Sequence, residues 1–337
     1  MNILVTGGAG FIGSNLIRTL IARPEVRRLV NLDCLTYAGH LESLEELSNA
    51  PHYIFEKVDI RDKGAVHRII FDHKITHVIH LASETHVDRS ISNPGSFIHT
   101  NIVGTFHLLE ACRDSWNGIS EERCFLHVST DEVFGSLGPT GCFSETSPYA
   151  PNSPYSASKA SSEMLVRSYY HTYGLPVITT NCTNNYGPYQ HPEKLIPLTI
   201  QRLLNRKPVS IYGDGMNVRD WLHVIDHCEA LWVALTLGTH GETYCIGGDC
   251  ERTNLDVAHL ICKLIDKQNP ELYFNSQKLL TFVPDRLGHD RRYAIDHSKI
   301  TNELGWKPAC NFEDGIFATV QWYANNQKWI SCVLKTV

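Results

Sequence analysis

A run of glycines directly after the first apolar segment is the feature that most constrains the fold of this chain. Residues 2–6 read Asn-Ile-Leu-Val-Thr, residues 7–13 read Gly-Gly-Ala-Gly-Phe-Ile-Gly, and residues 14–21 carry the apolar spacing of a helix. Glycines at this spacing permit a tight turn, close approach of the backbone to a ligand, and close packing of a helix on a strand. Strand, glycine turn and helix in this order predict a dinucleotide site at the helix N-terminus. The predicted contacts are Gly7, Gly10, Phe11, Ile12 and Gly13.

An acidic residue stands where it would distinguish between two dinucleotides. Asp33 ends the second apolar run, 20 residues beyond Gly13. A carboxylate at that position accepts hydrogen bonds from the adenosine ribose and repels a 2′-phosphate, so the sequence predicts NAD rather than NADP. Asp59 and Ile60 end the third run, where Asp59 would either reach the adenine amine or cap a helix.

Short apolar runs alternate with helical patterns through the first half of the chain. The predicted strands are Asn2–Thr6, Leu29–Leu32, Tyr53–Asp59, His77–Leu81, Cys124–Ser129 and Val177–Asn181. This alternation predicts an α/β fold, a doubly wound parallel Rossmann sheet with a second, smaller α/β substrate-binding domain. We place the dinucleotide-binding domain at residues 1–182 and the substrate-binding domain at residues 183–337, beginning with an irregular loop over residues 184–190. A segment near residues 220–240 could return to the first domain.

Composition narrows the class of protein and its partners. A net charge of −6, from 30 basic and 36 acidic residues, offers no basic face for nucleic acid or for an anionic membrane surface. The longest apolar runs fall far short of the roughly 20 residues that span a bilayer. Eleven cysteines without a C-x-x-C pair indicate free thiols in a reduced compartment. Since no secretory signal precedes the first glycine, we expect a cytoplasmic protein.

Two further motifs carry groups suited to acid/base chemistry. The pattern Y-x-x-x-K at Tyr155 and Lys159 begins a predicted helix, which places both side chains on one face. There the lysine ammonium would lower the pKa of the phenol and make it an acid/base for an alcohol. The same pattern at Tyr53–Lys57 falls in a predicted strand, where the two side-chain tips do not meet. The sequence Ser-Thr-Asp-Glu at residues 129–132 follows another strand, and its adjacent carboxylates could divide acid and base roles if their surroundings separate their pKa values.

Two helical patterns are apolar around more than one face. They cover Phe97–Cys112 and Ser156–Tyr173. A helix of this kind requires a second packing partner, so we predict a homodimer through these two helices. A deeper core within the same chain is the alternative.

These motifs, with four others, resemble those of the extended short-chain dehydrogenase/reductase family over nearly the whole chain. The matching stretches are GGAGFIGS at 7–14, HVDRS at 86–90, STDEVFG at 129–135, YSASKA at 155–160, NNYGPYQHPEKLIP at 184–197, IYGDGMNVRDW at 211–221 and GHDRRYAID at 288–296. The Thr-Asp-Glu trio is similar to that of the sugar-nucleotide 4,6-dehydratases of this family, whereas epimerases typically lack the acid/base pair. The resemblance implies bound NAD and dehydration of dTDP-glucose, with UDP-glucose as the alternative substrate. A 4-epimerase and a non-catalytic dinucleotide-sensing protein are the other functions considered.

The resemblance also implies a role for each group near the acid/base pair. Tyr155 would take the proton of the sugar C4 hydroxyl while NAD accepts the C4 hydride. Glu132 would then remove the C5 proton as Asp131 protonates the leaving C6 hydroxyl. Ser129 and Thr130 would hydrogen-bond the C4 oxygen, and Lys159 would position Tyr155 and the ribose.

The substrate contacts are implied in the same way. Those expected on the nucleotide diphosphate are Asn184, Lys194, Leu195, Tyr212, Arg219 and Asn254, with His289 and Tyr293 closing over it. The alternatives are a surface charge for Arg219, a solvated lysine for Lys194 and a core residue for Tyr212. Two positions depart from the family pattern: Ser210 stands where proline is usual, next to the base, and Cys245 where asparagine is usual.

The chain has 18 histidines, among them His223 and His227 at the i, i+4 spacing of a metal site. The pattern lacks the glutamate of H-E-x-x-H and a third ligand, so we predict no metal.

Overall fold

Seven parallel strands form the centre of the structure, a computed structural model that describes residues 1–118, 122–268, 275–285 and 288–335. In spatial order they are β10 (Thr243–Ile246), β6 (Val177–Cys182), β5 (Cys124–Thr130), β4 (His77–His80), β1 (Asn2–Thr6), β2 (Arg28–Asp33) and β3 (Tyr53–Lys57). The direction of winding reverses between β1 and β4, and ligands of open α/β sheets bind at the carboxyl ends of strands beside such a reversal. The doubly wound parallel fold predicted from the sequence is confirmed.

Helices cover both faces of this sheet because each presents one apolar stripe to it. On one face lie α1 (Phe11–Ile21) and α8 (Val224–Leu237), whose Leu16 and Leu231 are fully buried in one core cluster. The other face carries α2 (Lys63–Asp72), α5 (Thr105–Trp116) and α6 (Pro154–Tyr173), which bury Val66, Leu108 and Val166 in a second cluster. Short helices α3 (Val87–Ser92) and α4 (Pro94–Phe97) precede α5.

The predicted helix Phe97–Cys112 is not a single regular α-helix. A π-helical segment over Ile98–Gly104 separates α4 from α5. Gly104, at its end, faces Ile60, because a Cβ added there would lie 2.5 Å from the Ile60 Cδ1 atom. Glycine therefore lets this helical stretch pack closely on the loop that follows β3.

Two smaller sheets form a separate layer in the second half of the chain. One contains β11 (Glu251–Thr253), β9 (Val218–His223) and β7 (Asn184–Tyr186), and the other β12 (Leu280–Val283) and β8 (Val209–Tyr212). Around them lie α7 (Leu195–Leu204), α9 (Asn254–Gln268), α11 (Phe312–Asn325) and α12 (Gln327–Lys335), while α10 (Ser298–Leu304) packs on β10 and α8. Among the described residues, 3₁₀ helices span Leu41–Leu47, Asp131–Phe134 and Ser276–Leu279.

Two expectations about the second half need revision or refinement. The irregular loop expected over residues 184–190 contains β7, which pairs in parallel with β9, so the loop prediction was wrong there. The segment from α8 to β10 lies with the central sheet, since α8 packs against α1 and β10 pairs with β6. The domain division at residues 182 and 183 stays a prediction. No helix in the described part of the chain has the length and apolar character needed to cross a membrane.

Candidate active site

A cleft of about 340 Å³ opens at the carboxyl ends of the central strands. It is lined by the following residues named from the sequence: Gly7, Gly10, Phe11, Ile12, Gly13, Asp33, Asp59, Ile60, Ser129, Thr130, Glu132, Tyr155, Lys159, Asn184 and Lys194. The structure thus brings the glycine turn, the acidic residue after β2 and the Y-x-x-x-K pair to one cavity. It leaves Asp131, Leu195, Tyr212, Arg219, Asn254, His289 and Tyr293 outside the lining.

The glycine turn has the geometry of a diphosphate cradle. Gly7 has a φ of +72°, and a Cβ there would lie 2.8 Å from the Ala82 backbone. At Gly13 a Cβ would lie 2.2 Å from the Gly7 carbonyl oxygen, so α1 packs directly on the turn. Gly10 differs, because a Cβ there would meet nothing closer than 3.3 Å. It is the N-cap of α1, and no side chain caps that helix, which leaves the first-turn N–H groups available to an anion.

Asp33 joins the glycine turn to the loop after β2. Its Oδ2 atom accepts from the Ala9 amide at 3.0 Å and its Oδ1 atom from the Leu35 amide at 2.8 Å. Burial raises the pKa of this carboxyl, and the backbone donors oppose that shift. The open Gly10 position, the uncapped helix and the carboxylate at the end of β2 together fit NAD. Asp59 instead engages the Arg61 guanidinium through both oxygens, at 2.6 to 3.0 Å.

The start of α6 fixes where Tyr155 and Lys159 lie. Ser153 caps the helix, its hydroxyl accepting from the Ser156 amide at 3.1 Å in a reciprocal capping box. Pro154 at the first helical position supplies a φ angle already suited to a helix. Tyr155 and Lys159 consequently lie on the buried face, 7% and 5% exposed.

The effect expected of Lys159 on the Tyr155 phenol is not what the structure shows. The Lys159 ammonium donates to the Val128 carbonyl oxygen at 2.8 Å. Burial raises the pKa of Tyr155 well above its usual value, and the negative charge of Glu132 raises it further, while a hydrogen bond with Thr130 opposes the rise. The predicted lowering of the phenol pKa by lysine was therefore wrong for the protein without ligands, because desolvation outweighs the ammonium.

Asp131 and Glu132 are adjacent in sequence but lie in different surroundings. The 3₁₀ turn after β5 directs Asp131 into the protein, where it is 2% exposed, and leaves Glu132 half-buried in the cleft wall. Burial, followed by the charges of Glu132 and Asp220, raises the pKa of Asp131 to about 8. Within the described chain, the Asp131 Oδ2 atom has no hydrogen-bond partner. Asp131 is therefore a neutral acid near pH 7 with one oxygen available.

The hydroxyls that precede this pair are already engaged. The Ser129 hydroxyl donates to the Glu163 carboxylate. The Thr130 hydroxyl donates to the Asp131 Oδ1 atom at 3.2 Å and accepts from the Glu132 amide at 3.3 Å. Ser129 can thus meet a sugar oxygen only as an acceptor, unless its bond to Glu163 breaks.

Two of the remaining substrate-binding candidates, Arg219 and Tyr293, form a second cluster next to the acid/base pair. The Arg219 guanidinium is 6% exposed, lies 4.4 Å from the centroid of the Tyr293 ring and donates to the Asp290 carbonyl oxygen at 3.0 Å. Tyr293 is 1% exposed, and its hydroxyl donates to the Asp290 carboxylate, so it is part of the cluster wall. The alternative of a surface charge for Arg219 is wrong.

The other substrate-binding candidates and the two positions that depart from the family pattern lie in varied surroundings. Tyr212 is 45% exposed, so the alternative of a core residue is wrong for it, and its ring centroid lies 6.4 Å from that of His289. Lys194 and Leu195 begin α7, and the Lys194 ammonium donates to the Thr85 carbonyl oxygen at 3.4 Å. The backbone N–H of Asn254, at the start of α9, donates to the Asn217 backbone carbonyl oxygen at 3.0 Å. Ser210 shares the exposed side of β8 with Tyr212, and Cys245 is fully buried in β10.

The two histidines at metal-ligand spacing have structural partners. His223 caps α8 by accepting from the Ile225 amide at 3.4 Å. The His227 Nδ1 atom lies 2.9 Å from the Asn185 Oδ1 atom, and burial lowers the pKa of His227 to about 3. Among the described residues, no group of three or more histidines, cysteines and carboxylates is placed to hold a metal ion.

Sequence reasoning missed Glu163, which lies behind the site. It is 2% exposed and accepts hydrogen bonds from three elements, through Ser129, Tyr149 and Asn181. Its spacing of four residues from Lys159, which repeats the spacing from Tyr155 to Lys159, was the available signal. That spacing places all three on successive turns of one helix face.

Fold, glycine turn and Tyr-Lys pair define a dinucleotide-dependent α/β protein of the extended short-chain dehydrogenase/reductase type. The chain belongs to the GDP-mannose 4,6 dehydratase family, whose model matches residues 4–319. A dTDP-glucose 4,6-dehydratase of Xanthomonas campestris pv. campestris (strain B100) is 56% identical over 336 residues, covering 98% of this chain and 95% of that protein. One of Neisseria meningitidis serogroup B is 54% identical and covers 98% of this chain and 96% of that protein. The crystal structure of DesIV, a dTDP-glucose 4,6-dehydratase from Streptomyces venezuelae with NAD and TYD bound, superposes with a TM-score of 0.92 at 43% identity, covering 99% and 100% of the two chains.

Replacing Asp33 with alanine should weaken NAD binding and reduce the preference for NAD over NADP. The variant removes the acceptor for the ribose hydroxyls and the acceptor that joins Ala9 to the loop after β2. The measurement is the dissociation constant for each dinucleotide, determined by calorimetry on the apoprotein. Asp72→Ala, at the exposed C-terminal end of α2, is the matched control and should bind as the wild type does. Equal affinity of wild-type protein for NAD and NADP would contradict the role of Asp33.

Proposed function

We propose that this protein is an NAD-dependent dTDP-glucose 4,6-dehydratase, which converts its substrate into a 4-keto-6-deoxy sugar nucleotide and water. The observation that carries the proposal is the contrast between Asp131 and Glu132, one buried and neutral and the other at the wall of the cleft. The relatives described above are dTDP-glucose 4,6-dehydratases, and this chain aligns with them over almost their full length. Removal of water β to a ketone requires one acid and one base, and this pair supplies both.

NAD, when bound, supplies a hydride acceptor that becomes the donor later in the same cycle. Tyr155 accepts the proton of the C4 hydroxyl in the step that yields the 4-ketone. Thr130 favours the phenolate form in that step when its hydroxyl donates to Tyr155 instead of to the Asp131 Oδ1 atom. Lys159, fixed by the Val128 carbonyl oxygen, holds its positive charge on the same helix face as Tyr155.

The 4-ketone makes the neighbouring C5 proton acidic, which gives the carboxylate pair its task. Glu132, at the cleft wall, removes that proton. Asp131, neutral because of burial, donates its proton to the C6 hydroxyl and lets it leave as water. A 4-epimerase has no dehydration step and needs no such acid. A non-catalytic sensor would need neither carboxylate in this arrangement.

Substitution of the two carboxyls separates the steps of the reaction. Glu132→Gln should leave C4 oxidation intact, because that step uses Tyr155 and NAD, and should abolish exchange of the C5 proton with solvent. Asp131→Asn should permit C5 exchange and slow the loss of water by about 10²- to 10⁴-fold. Tyr155→Phe should block both. The measurement is mass analysis of the sugar nucleotide recovered after incubation with dTDP-glucose in deuterated water, with UDP-glucose as the parallel substrate.

Two outcomes would contradict this assignment. Rapid C5 deuteration by Glu132→Gln would show that another group is the base. Normal turnover by Asp131→Asn would show that another group is the acid. No 4-keto-6-deoxy product from dTDP-glucose with the wild-type protein would contradict the function itself.

We also propose that the protein acts as a homodimer through the π-helical segment, α5 and α6. Their exposed apolar side chains support this: Ile98 is 50% exposed, Phe106 37%, Met164 54% and Tyr173 54%. Exposed apolar groups on neighbouring helices are typical of an interface between subunits.

Met164→Glu should shift the protein from dimer to monomer at micromolar concentration, because it places a charge within the apolar surface. Sedimentation velocity measures the change. Leu334→Glu, on α12 and 46% exposed, is the matched control and should leave the dimer intact. A monomeric wild-type protein, or a dimer that Met164→Glu does not affect, would contradict this interface.

A further inference from the structure

The Glu163 side chain is a buried carboxylate directly behind the catalytic face of α6. It is 2% exposed and does not line the cleft, so neither cofactor nor substrate reaches it in this arrangement. Lys159 precedes it by one helical turn and Tyr155 by two, and all three are on the buried face. A buried carboxylate is costly unless it is hydrogen-bonded or lies near a positive charge, and Glu163 accepts hydrogen bonds and is close enough to Lys159 to feel its charge.

Three elements are joined by hydrogen bonds to this carboxylate. Its Oε1 atom accepts from the Ser129 hydroxyl on β5 and from the Asn181 side-chain amide on β6 at 2.9 Å. Its Oε2 atom accepts from the Tyr149 hydroxyl, in the loop before α6, at 2.8 Å. The Asn181 amide also donates to the Thr130 carbonyl oxygen at 3.1 Å. Glu163 therefore holds the end of β5, where the acid/base pair begins, against the helix that carries Tyr155.

Charge links Glu163 to Lys159 as well. Burial lowers the pKa of Lys159 and raises that of Glu163, and the attraction between the two opposite charges opposes both shifts. The other titratable groups facing Lys159 and Glu163 are Cys182 on β6, Cys245 on β10, His80 on β4, His127 on β5 and Tyr149. Burial keeps the thiols, the imidazoles and the phenol neutral near pH 7. Among these described groups, Glu163 is the one whose charge can favour the ammonium.

We propose that Glu163 is a positioning residue for the reaction, which fixes Ser129 and Thr130 opposite Tyr155 and places a carboxylate one helical turn from the Lys159 ammonium. It acts through these neighbours and not on the substrate. The proposal rests on the proposed dehydratase function for its kinetic consequences, whereas the ionisation of Lys159 is independent of the substrate.

Glu163→Gln tests the charge while keeping the shape of the side chain. We expect kcat for dTDP-glucose to fall about 10- to 100-fold, because loss of the charge loosens the reactive geometry, with KM within about twofold of the wild type. Removing a negative charge beside an ammonium disfavours the charged form. The alkaline limb of the kcat profile should therefore move to lower pH, by about 1 unit or more.

Further variants distinguish this role from a general loss of structure. Glu163→Asp keeps the charge and should restore the position of the alkaline limb, at least in part. Tyr149→Phe, at a side chain 41% exposed, removes one donor and should move the limb in the same direction as Glu163→Gln but less far. Glu303→Gln is the matched control. Glu303 lies on α10, does not line the cleft, and accepts a hydrogen bond from the Tyr244 hydroxyl at 3.2 Å. The pH profile of this variant should equal that of the wild type.

A direct readout does not depend on the substrate. Titration of Lys159 in protein labelled with ¹³C at lysine Cε, assigned with Lys159→Arg, should give a lower pKa in Glu163→Gln than in the wild type. An unchanged titration together with an unchanged kcat profile would overturn the proposal. The titration of Lys159 could shift in Glu163→Gln while the wild-type protein fails to turn over dTDP-glucose. That result would contradict the proposed function, and the link between Glu163 and Lys159 would stand.

Discussion

Burial of an acid at the carboxyl end of a parallel strand is the constraint on which this site depends. β5 lies inside the sheet, so the turn that follows it must direct one side chain inward and the next toward the cleft. Asp131 takes the inward position, where desolvation and the charge of Glu132 raise its pKa to about 8. This difference in surroundings is the basis of the opposite roles proposed for the two adjacent carboxyls.

This arrangement is expected to cost stability. A carboxyl whose pKa is higher in the folded protein than in the unfolded chain binds its proton more tightly when folded. Stability is then lost as pH rises from the ordinary aspartate range toward about 8, where Asp131 ionises in the folded state. The hydrogen bonds that hold the end of β5, from Asn181 to Thr130 and from Ser129 to Glu163, offset part of this cost by fixing the backbone around the acid.

The sequence predicted what local spacing determines, and missed what depends on distant partners. Alternation of apolar runs located the central strands, and both ends of β1 were predicted correctly. The second Y-x-x-x-K pattern, at Tyr53–Lys57, lies in a strand, where its two side chains do not share a helix face. The short strand β7 was missed, because three residues carry no periodicity and its partner β9 comes more than 30 residues later. The predicted shift of the Tyr155 pKa was wrong in direction, because sequence spacing shows a nearby lysine but not how fully the phenol is buried. Glu163 shared the spacing of Lys159, yet its donors come from β5, β6 and a loop, which only the folded chain brings together.

Titration of Asp131 distinguishes a neutral buried acid from an ordinary aspartate carboxylate. In protein labelled with ¹³C at the aspartate carboxyl carbon, and with the resonance assigned by Asp131→Asn, the carboxyl chemical shift can be followed between pH 4 and pH 10. Because Asp131 is buried beside Glu132, we expect a neutral carboxyl at pH 7 and a titration midpoint near pH 8. An Asp131 that is already ionised at pH 7, with a midpoint in the ordinary aspartate range, would contradict the division of roles between Asp131 and Glu132.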